Sequence, residues 1–153
     1  MSDTIVIVTA CDENYVRAAA AAIRSAIDSV PRRRNIQVYV LDGGIGERSK
    51  ARLARSWKSR RVSVRWLTPD LDAIADMPVS HHISRSTYLR IMTAELLPAE
   101  VDKAIYLDAD TIVVRNLEEL WNTPLEGAYC AAVQEIFCPV LNPAKYIRIR
   151  YTV

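Results

Sequence analysis

Cysteine is scarce in this sequence: three residues, Cys11, Cys130 and Cys138, odd in number and without close paired spacing. Such a set excludes a disulfide framework and a zinc-finger arrangement, and predicts buried free thiols in a reducing compartment. A surplus of one charge is missing too, because 20 basic and 18 acidic residues leave a formal net charge of +2. That mixture is too even for nucleic-acid binding through bulk electrostatics. Long apolar runs are also absent. The stretch from Ala18 to Ala26 is interrupted by Arg24 and bounded by Arg17 and Asp28, so it falls short of the roughly 20 apolar residues of a membrane span and predicts a buried helix instead. The opening Met1-Ser2-Asp3-Thr4 lacks the basic flank and cleavage site of a signal peptide, which with the cysteine usage predicts a cytoplasmic location. No internal repeat or low-complexity segment breaks the chain.

What is present has the balance of a globular domain, with half the residues hydrophobic and a quarter charged, and predicts a single domain over residues 1–153. The densest basic runs, Arg32-Arg33-Arg34 and Lys58-Ser59-Arg60-Arg61, fall where loops are expected. They read as a solvated surface, with weak peripheral contact at the inner membrane surface as the alternative.

Strand and helix patterns alternate. Thr4 to Thr9 is β-branched and apolar, and Tyr15 to Val30 carries Val16, Ala19, Ala20, Ile23, Ile27 and Val30 at helical spacing, with Asp12 or Asn14 as a cap and Pro31 closing the helix. Ile36 to Leu41 is a second strand. Glu47 to Trp57 follows as a helix that buries Ala51, Leu53, Ala54 and Trp57, after a Gly-Gly-Ile-Gly turn. Val62 to Leu67 is the third strand. Spacings of this kind suit right-handed βαβ units, and strands so continuously apolar predict a mostly parallel sheet covered on both faces. A helix from Arg85 to Leu97, capped by Ser84 and stopped by Pro98, leads to a short strand at Ala104 to Leu107. An extended run Ile112 to Val114, a helical turn Leu117 to Trp121 and a strand candidate Tyr129 to Val133 complete the pattern. Residues 139–153 are set apart as an irregular or truncated tail, since Ile147 to Val153 alternates like a half-buried strand yet meets no turn or cap.

The chemistry concentrates at Asp108-Ala109-Asp110. Two carboxylates spaced i, i+2 at the carboxyl end of a buried strand stand where open α/β sheets place their ligands. On an extended backbone both would point to one side, with Cα atoms about 6–7 Å apart, near enough to share one hard cation. Ala109 between them leaves room for a ligand. Taken alone, an Asp-x-Asp more often makes a turn or a cap. Here Ala104-Ile105-Tyr106-Leu107 precedes the pair and Thr111-Ile112-Val113-Val114 follows it, an arrangement shared by two families. In haloacid-dehalogenase phosphatases the pair lies on the first strand and needs a downstream lysine, whereas Lys145 is the single lysine after Asp110.

The chain as a whole resembles the family-8 retaining glycosyltransferases, the group of glycogenin and the bacterial lipopolysaccharide galactosyltransferases and glucosyltransferases. The resemblance runs in order through Thr9-Ala10-Cys11-Asp12-Glu13-Asn14-Tyr15, Val40-Leu41-Asp42-Gly43-Gly44-Ile45, His82-Ile83-Ser84-Arg85-Ser86-Thr87-Tyr88-Leu89-Arg90, Asp102 to Asp110 and Leu117-Glu118-Glu119-Leu120-Trp121. It implies the nucleotide-binding half of a GT-A-type α/β fold. It further implies transfer of a hexose from UDP-glucose or UDP-galactose, with retained configuration, to a carbohydrate or lipopolysaccharide acceptor, dependent on Mn2+ or Mg2+.

Carried over by position, the resemblance implies that Ala10, Asp12, Asn14 and Tyr15 line the uridine pocket, that Ile83 gives pocket wall, and that Arg90 approaches the donor sugar and diphosphate. It also implies that Asp108 and Asp110 hold the cation beside Ala109, and that Glu135 contacts the transferred sugar where relatives often carry Asp. Alone, Asp12 and Asn14 would pass as helix caps and Arg90 as half of a surface ion pair. Adjacent His81 and His82 are read as outside the metal shell, because the family's metal-binding histidine belongs to a His-x-Gly-x-x-Lys-Pro-Trp segment that this sequence does not contain. The alternative to an active transferase is a nucleotide-binding remnant that associates with a second copy through an exposed strand.

Overall fold

The computed structural model describes residues 4–70, 72 and 88–132. Four strands form one parallel sheet: β1 (Thr4–Cys11), β2 (Asn35–Asp42), β3 (Val62–Leu67) and β4 (Ile105–Tyr106), in the order β3-β2-β1-β4. Helix α1 (Val16–Ser29) joins β1 to β2 and α2 (Glu47–Ser56) joins β2 to β3. Two short helices, α3 (Thr93–Leu96) and α4 (Leu117–Trp121), flank β4 in sequence. This is the mostly parallel α/β sheet that the alternating pattern predicts.

Strands β1 and β2 read as unbroken apolar runs because both faces of the sheet are covered. From β1, Ile5, Ile7 and Cys11 join a core with Ile23 and Ile27 of α1, Leu53 of α2, and Trp57. Val8 and Ala10, pointing the other way, pack with Tyr39, Leu41 and Leu89. The β1–β2 ladder runs in register from Thr4↔Asn35 to Cys11↔Asp42, whereas β4 meets β1 only at Ile7↔Ile105 and Val8↔Tyr106. A further bond from Leu107 N–H to the Val8 carbonyl, 2.8 Å, carries the second pairing one residue on.

The expected helix faces need correction. In α1, Ala22 and Ala26 are fully buried beside Ala19, Ile23 and Ile27, while Val16 and Ala20 are only partly covered. A run of alanines carries no phase information, so the sequence could not orient that stripe. In α2, Ala51 and Ala54 are exposed, and the buried line is Ser49, Leu53 and Trp57, each four residues from the next. Ser49 is tolerated there because its hydroxyl donates to Glu13 Oε1 at 2.7 Å.

Downstream the departures are larger. Of the expected helix, residues 85–87 lie outside the described residues, Tyr88 is helical, Leu89 to Met92 form turns with i to i+3 hydrogen bonds, and helix resumes over Thr93–Leu96, ending at Leu97 before Pro98. Ile112 to Val114 is no strand: Ile112 is exposed and Val114 is 84% exposed, while Val113 packs inward and its N–H donates to Ser25 Oγ of α1 at 2.9 Å. Tyr129 to Ala132 is irregular rather than a strand, and Cys130 is exposed, so only Cys11 of the two described thiols is buried. Ser84, Arg85, Val133, Cys138 and the alternating tail lie outside the described residues.

The basic runs are not simply solvated. Arg33 and Arg34 converge on the buried Glu118 carboxylate at 2.5 and 2.6 Å. Arg61 donates to the carbonyls of Ile27, Pro31 and Arg34, stitching the α1–β2 connection. The Arg34 guanidinium, helped by Arg33, holds the Glu118 carboxyl below its usual range against the desolvation that would raise it. A carboxylate with a depressed folded pKa contributes stability above its unfolded pKa and loses it as pH falls through the folded value. Glu118→Gln is therefore expected to melt at a lower temperature than wild type at pH 7, with the gap closing below roughly pH 4. A gap independent of pH in thermal melts would contradict the ion-pair account.

The chain divides into two compact units, Met1–Trp121 and Asn122–Val153. Within the second unit the described chain makes a tight turn, with positive φ at Glu126 and Gly127 and a 2.7 Å bond from Ala128 N–H to the Leu125 carbonyl. Among the described residues no helix is long and apolar enough to cross a membrane.

Candidate functional site

Strand order locates the site before any side chain is considered. The chain leaves β1 toward β2 on one side and later returns to place β4 on the other. The carboxyl ends of β1 and β4 thus flank a topological switch point, where connecting loops diverge and leave a crevice. Cys11 ends β1 and Asp12 follows, while Asp108 stands two residues beyond Tyr106, as Ala10 stands two beyond Tyr106's partner Val8.

On the β1 lip, Asp12 is extended and its Oδ1 accepts from Asn14 N–H at 2.9 Å and Tyr15 N–H at 3.2 Å, capping a 3-10 turn over Glu13–Tyr15. Neither Asp12 nor Asn14 is the cap of α1, whose N-cap residue is Tyr15; Asp12 caps only the turn before it. That turn presents Asn14 and Tyr15 to solvent, Tyr15 at 46% exposure. Ala10 is buried, so it can offer a ligand backbone rather than side chain. The lip is braced from behind. Glu13 accepts from Gly46 N–H at 2.8 Å and from Ser49 at the start of α2, which holds its carboxyl below the usual range. Gly43 N–H donates to the Cys11 carbonyl at 2.8 Å, tying the β2 end to the β1 end. Burial, then the charges of Asp12, Asp42 and Glu13, push the Cys11 thiol up to about 12. It is a packed donor to the Asp12 carbonyl, not a nucleophile.

The β2 end is fixed by Asp42, whose buried carboxylate accepts from Gly44 N–H, Ile45 N–H and Lys50 Nζ at 2.9, 2.7 and 2.7 Å. Burial opposes its ionisation, but the Ile45 amide, Lys50 and the Gly44 amide outweigh it and keep its pKa low. This turn requires Gly44 at φ +106. Gly44→Ala is expected to cost about 1–2 kcal/mol in chemical denaturation, although a Cβ there meets nothing within 4 Å. A neutral result would show that the turn relaxes freely.

On the β4 lip, Asp108-Ala109-Asp110-Thr111 is a turn, closed by Thr111 N–H and Thr111 Oγ1 on the Asp108 carbonyl at 3.2 and 2.7 Å. The expected extended backbone at the pair is therefore corrected: the short strand has already ended, and Thr111 folds the chain back. Asp108 is half-exposed, Asp110 exposed and Ala109 buried. Arg90 Nη2 reaches Asp108 Oδ1 at 3.0 Å, with the two side chains 46% and 44% exposed, and the guanidinium lies 5.6 Å from the centre of the Tyr106 ring. Burial, partly offset by Arg90, pushes the Tyr106 hydroxyl up to about 12. Arg90 is thus brought to the acidic pair, as half of an ion pair.

Asp108 and Asp110 offer hard carboxylate oxygens, the donor type that Mn2+ and Mg2+ take. Among the described residues no group of three His, Cys, Asp or Glu side chains gathers to hold a metal. The pair would supply part of a cation's shell, leaving the rest to phosphate oxygens and water. Ile83, His81, His82 and Glu135 lie outside the described residues. Two supporting residues escaped sequence reasoning. Glu13 braces partners 33 and 36 positions away, which no local pattern reveals. Tyr106 was visible as an aromatic two residues before Asp108, but its role as the surface under Arg90 was not.

Comparisons with known proteins agree with this fold. The sequence model of glycosyl transferase family 8 matches residues 6–151. The general stress protein A of Bacillus subtilis (strain 168) is 29% identical over 130 residues, which make up 84% of this chain and 46% of that protein. Glycosyltransferase GlyD of Streptococcus pneumoniae serotype 4 is 33% identical over 138 residues, 88% of this chain and 16% of that one. Among solved structures, the galactosyltransferase LgtC in complex with donor and acceptor sugar analogues superposes with a TM-score of 0.70 at 32% identity, covering 79% of this chain and 43% of its own. The chain thus spans less than half the length of these relatives.

Proposed function

Since the chain belongs to glycosyltransferase family 8 and folds as the GT-A type does, we propose that it is the donor-binding half of an enzyme that transfers a hexose from UDP-glucose or UDP-galactose to a carbohydrate acceptor with retained configuration. The observation that carries this reading is the meeting of two lips at one switch point: Asp12, Asn14 and Tyr15 beyond β1, and Asp108 and Asp110 beyond β4.

Each lip suits one end of a nucleotide sugar. Uracil has one ring N–H donor and two carbonyl acceptors, which a carboxylate and an amide can read while an aromatic face stacks. Asp12, Asn14 and Tyr15 supply those groups, and the brace from Glu13 to Gly46 and Ser49 keeps them placed without ligand. At the other lip Asp108 and Asp110 would hold Mn2+ or Mg2+, which neutralises the charge that accumulates on the leaving diphosphate. Arg90 adds a guanidinium whose fork matches phosphate oxygens. Ile83 would wall the pocket and Glu135 would orient the transferred sugar, the longer side chain shifting its carboxylate by one methylene relative to Asp and so bearing on sugar choice.

The test is calorimetric titration of UDP with and without Mn2+. Saturable binding that strengthens with Mn2+ is expected, and no binding in either condition would remove the reading. These 153 residues span less than half the length of the relatives, and the second reading is that on their own they bind without transfer. UDP release from UDP-glucose or UDP-galactose on adding acceptor separates the two; little or none is expected from these 153 residues.

A further inference from the structure

Behind the β1 lip, α1 and α2 leave between them a half-open groove of about 490 Å3, within the size range of small-molecule sites. Val16, Arg17 and Ala20 line it from one helix and Ser49, Arg52 and Ser56 from the other, each set spaced by single turns so that two helix faces oppose. Of the described residues proposed to hold the donor, Asn14 alone reaches its wall, and the acidic pair beyond β4 does not. We propose that this groove is a second ligand site, for a small sugar phosphate whose phosphate is held between Arg17 and Arg52.

Charge argues for the anion. Arg17 and Arg52 form no ion pair or hydrogen bond among the described residues, and Arg52 acts on Glu13 only through space. Glu13 is the one acid on the wall, and its carboxylate is taken up by the Gly46 N–H and the Ser49 hydroxyl, so the groove carries a net positive charge. Arg17 also stands in the first turn of α1, where the helix dipole disfavours a cation; that turn holds no acid, and the N-cap Tyr15 lends it no side-chain bond. α2 and the residues after it add to the field, because Glu47 is the only acid from Glu47 to Arg61, against Arg48, Arg52, Arg55, Lys58 and Arg60 at exposed positions. A phosphate between two guanidinium forks answers all of these at once.

The sugar follows from the rest of the wall. Ser49 and Ser56 already donate their hydroxyl protons, to Glu13 and to the Leu53 carbonyl, which leaves both oxygens able to accept from ligand hydroxyls. Asn14 is exposed and offers an acceptor and two donors. Val16 and Ala20 give an apolar strip for the C–H face of a ring, and the small side chains of Ala20, Ser49 and Ser56 leave it room.

The test is calorimetric titration of hexose 1-phosphates and hexose 6-phosphates, with the free hexoses and inorganic phosphate as references, into wild type, Arg17→Met, Arg52→Met, Ser56→Leu and Asp108→Asn chains. Far-UV circular dichroism confirms each fold. Wild type is expected to bind at least one of the hexose phosphates saturably, in the millimolar range or tighter, and more tightly than either the matching hexose or phosphate alone. Arg17→Met and Arg52→Met are each expected to weaken that binding roughly tenfold or more, as loss of a charge-assisted bond does. Ser56→Leu, which keeps both cations and fills the groove, is expected to weaken it as well. Asp108→Asn is expected to leave it unmoved, since Asp108 lies in the other crevice. No binding by any hexose phosphate overturns the proposal, as does binding that survives both arginine changes. Loss in Asp108→Asn overturns it by placing the ligand in the donor crevice, and phosphate alone binding equally well overturns the sugar. Titration of UDP with Mn2+ is a separate measurement, and its failure would remove the donor-site reading while leaving this groove standing.

Discussion

Asparagine at Asp108 or at Asp110 is expected to lower Mn2+-dependent UDP affinity by on the order of ten- to a hundredfold. Asparagine preserves the volume and most of the hydrogen-bonding capacity of aspartate, so the change isolates the charge. Each carboxylate would provide a ligand oxygen and a unit of charge against a dication, and a neutral amide oxygen replaces only the former. Folding stability makes the control. Asp110 is exposed and Asp108 is half-exposed with one weak pair, so both variants are expected to unfold within about 0.5 kcal/mol of wild type in denaturant. The two should then diverge without metal. Asp108→Asn releases Arg90 from its carboxylate, whereas Asp110→Asn leaves that pair intact, and UDP binding in chelator reports the difference. Wild-type affinity with Mn2+ in both variants would end the assignment of the pair.

Trp57→Ala is expected to remove about 3–5 kcal/mol of stability, a large part of the 5–15 kcal/mol typical of a domain. Trp57 follows α2 and has no exposed surface. Its ring stacks on Trp66 of β3, centroids 6.3 Å apart and planes 24° from parallel, and its indole N–H donates to the Ala20 carbonyl of α1 at 3.1 Å. Truncation therefore opens a cavity between helix and sheet and strands a carbonyl acceptor. Trp57→Phe keeps most of the stack and loses the hydrogen bond, and about 1–2 kcal/mol is expected. Equilibrium denaturation measures both. A loss below about 1 kcal/mol for Trp57→Ala would show that the helices close over the gap.

Large features were legible in the sequence where one physical constraint acted alone. β1 and β2 are covered on both faces, so their composition announced them, and the parallel topology followed from the helices between them. The line Ser49-Leu53-Trp57 was half read: the two apolar members were recognisable, but a serine is placed there by a carboxylate from another loop. The acidic pair illustrates the same limit. Its place at a strand end came from the apolar residues before it, while its turn depends on Thr111 bonding back to Asp108, a choice that a flanking Ile112-Val113-Val114 run disguises. Arg90 was tied to the site only through resemblance, and its pairing with Asp108 could not be read because the two are distant in sequence. Arg33 and Arg34 look like surface charge until Glu118 is brought to them.

The unequal fastening of β1 has a mechanical consequence. Toward β2 it is zipped along its whole length and locked at the top by Gly43, whereas toward β4 only a few rungs hold. One jaw of the crevice is a stiff slab and the other a lightly clipped tab. In the proposed site a base seated on the slab would keep its position, and any give needed around phosphates of varying reach would come from the tab that carries the two acids.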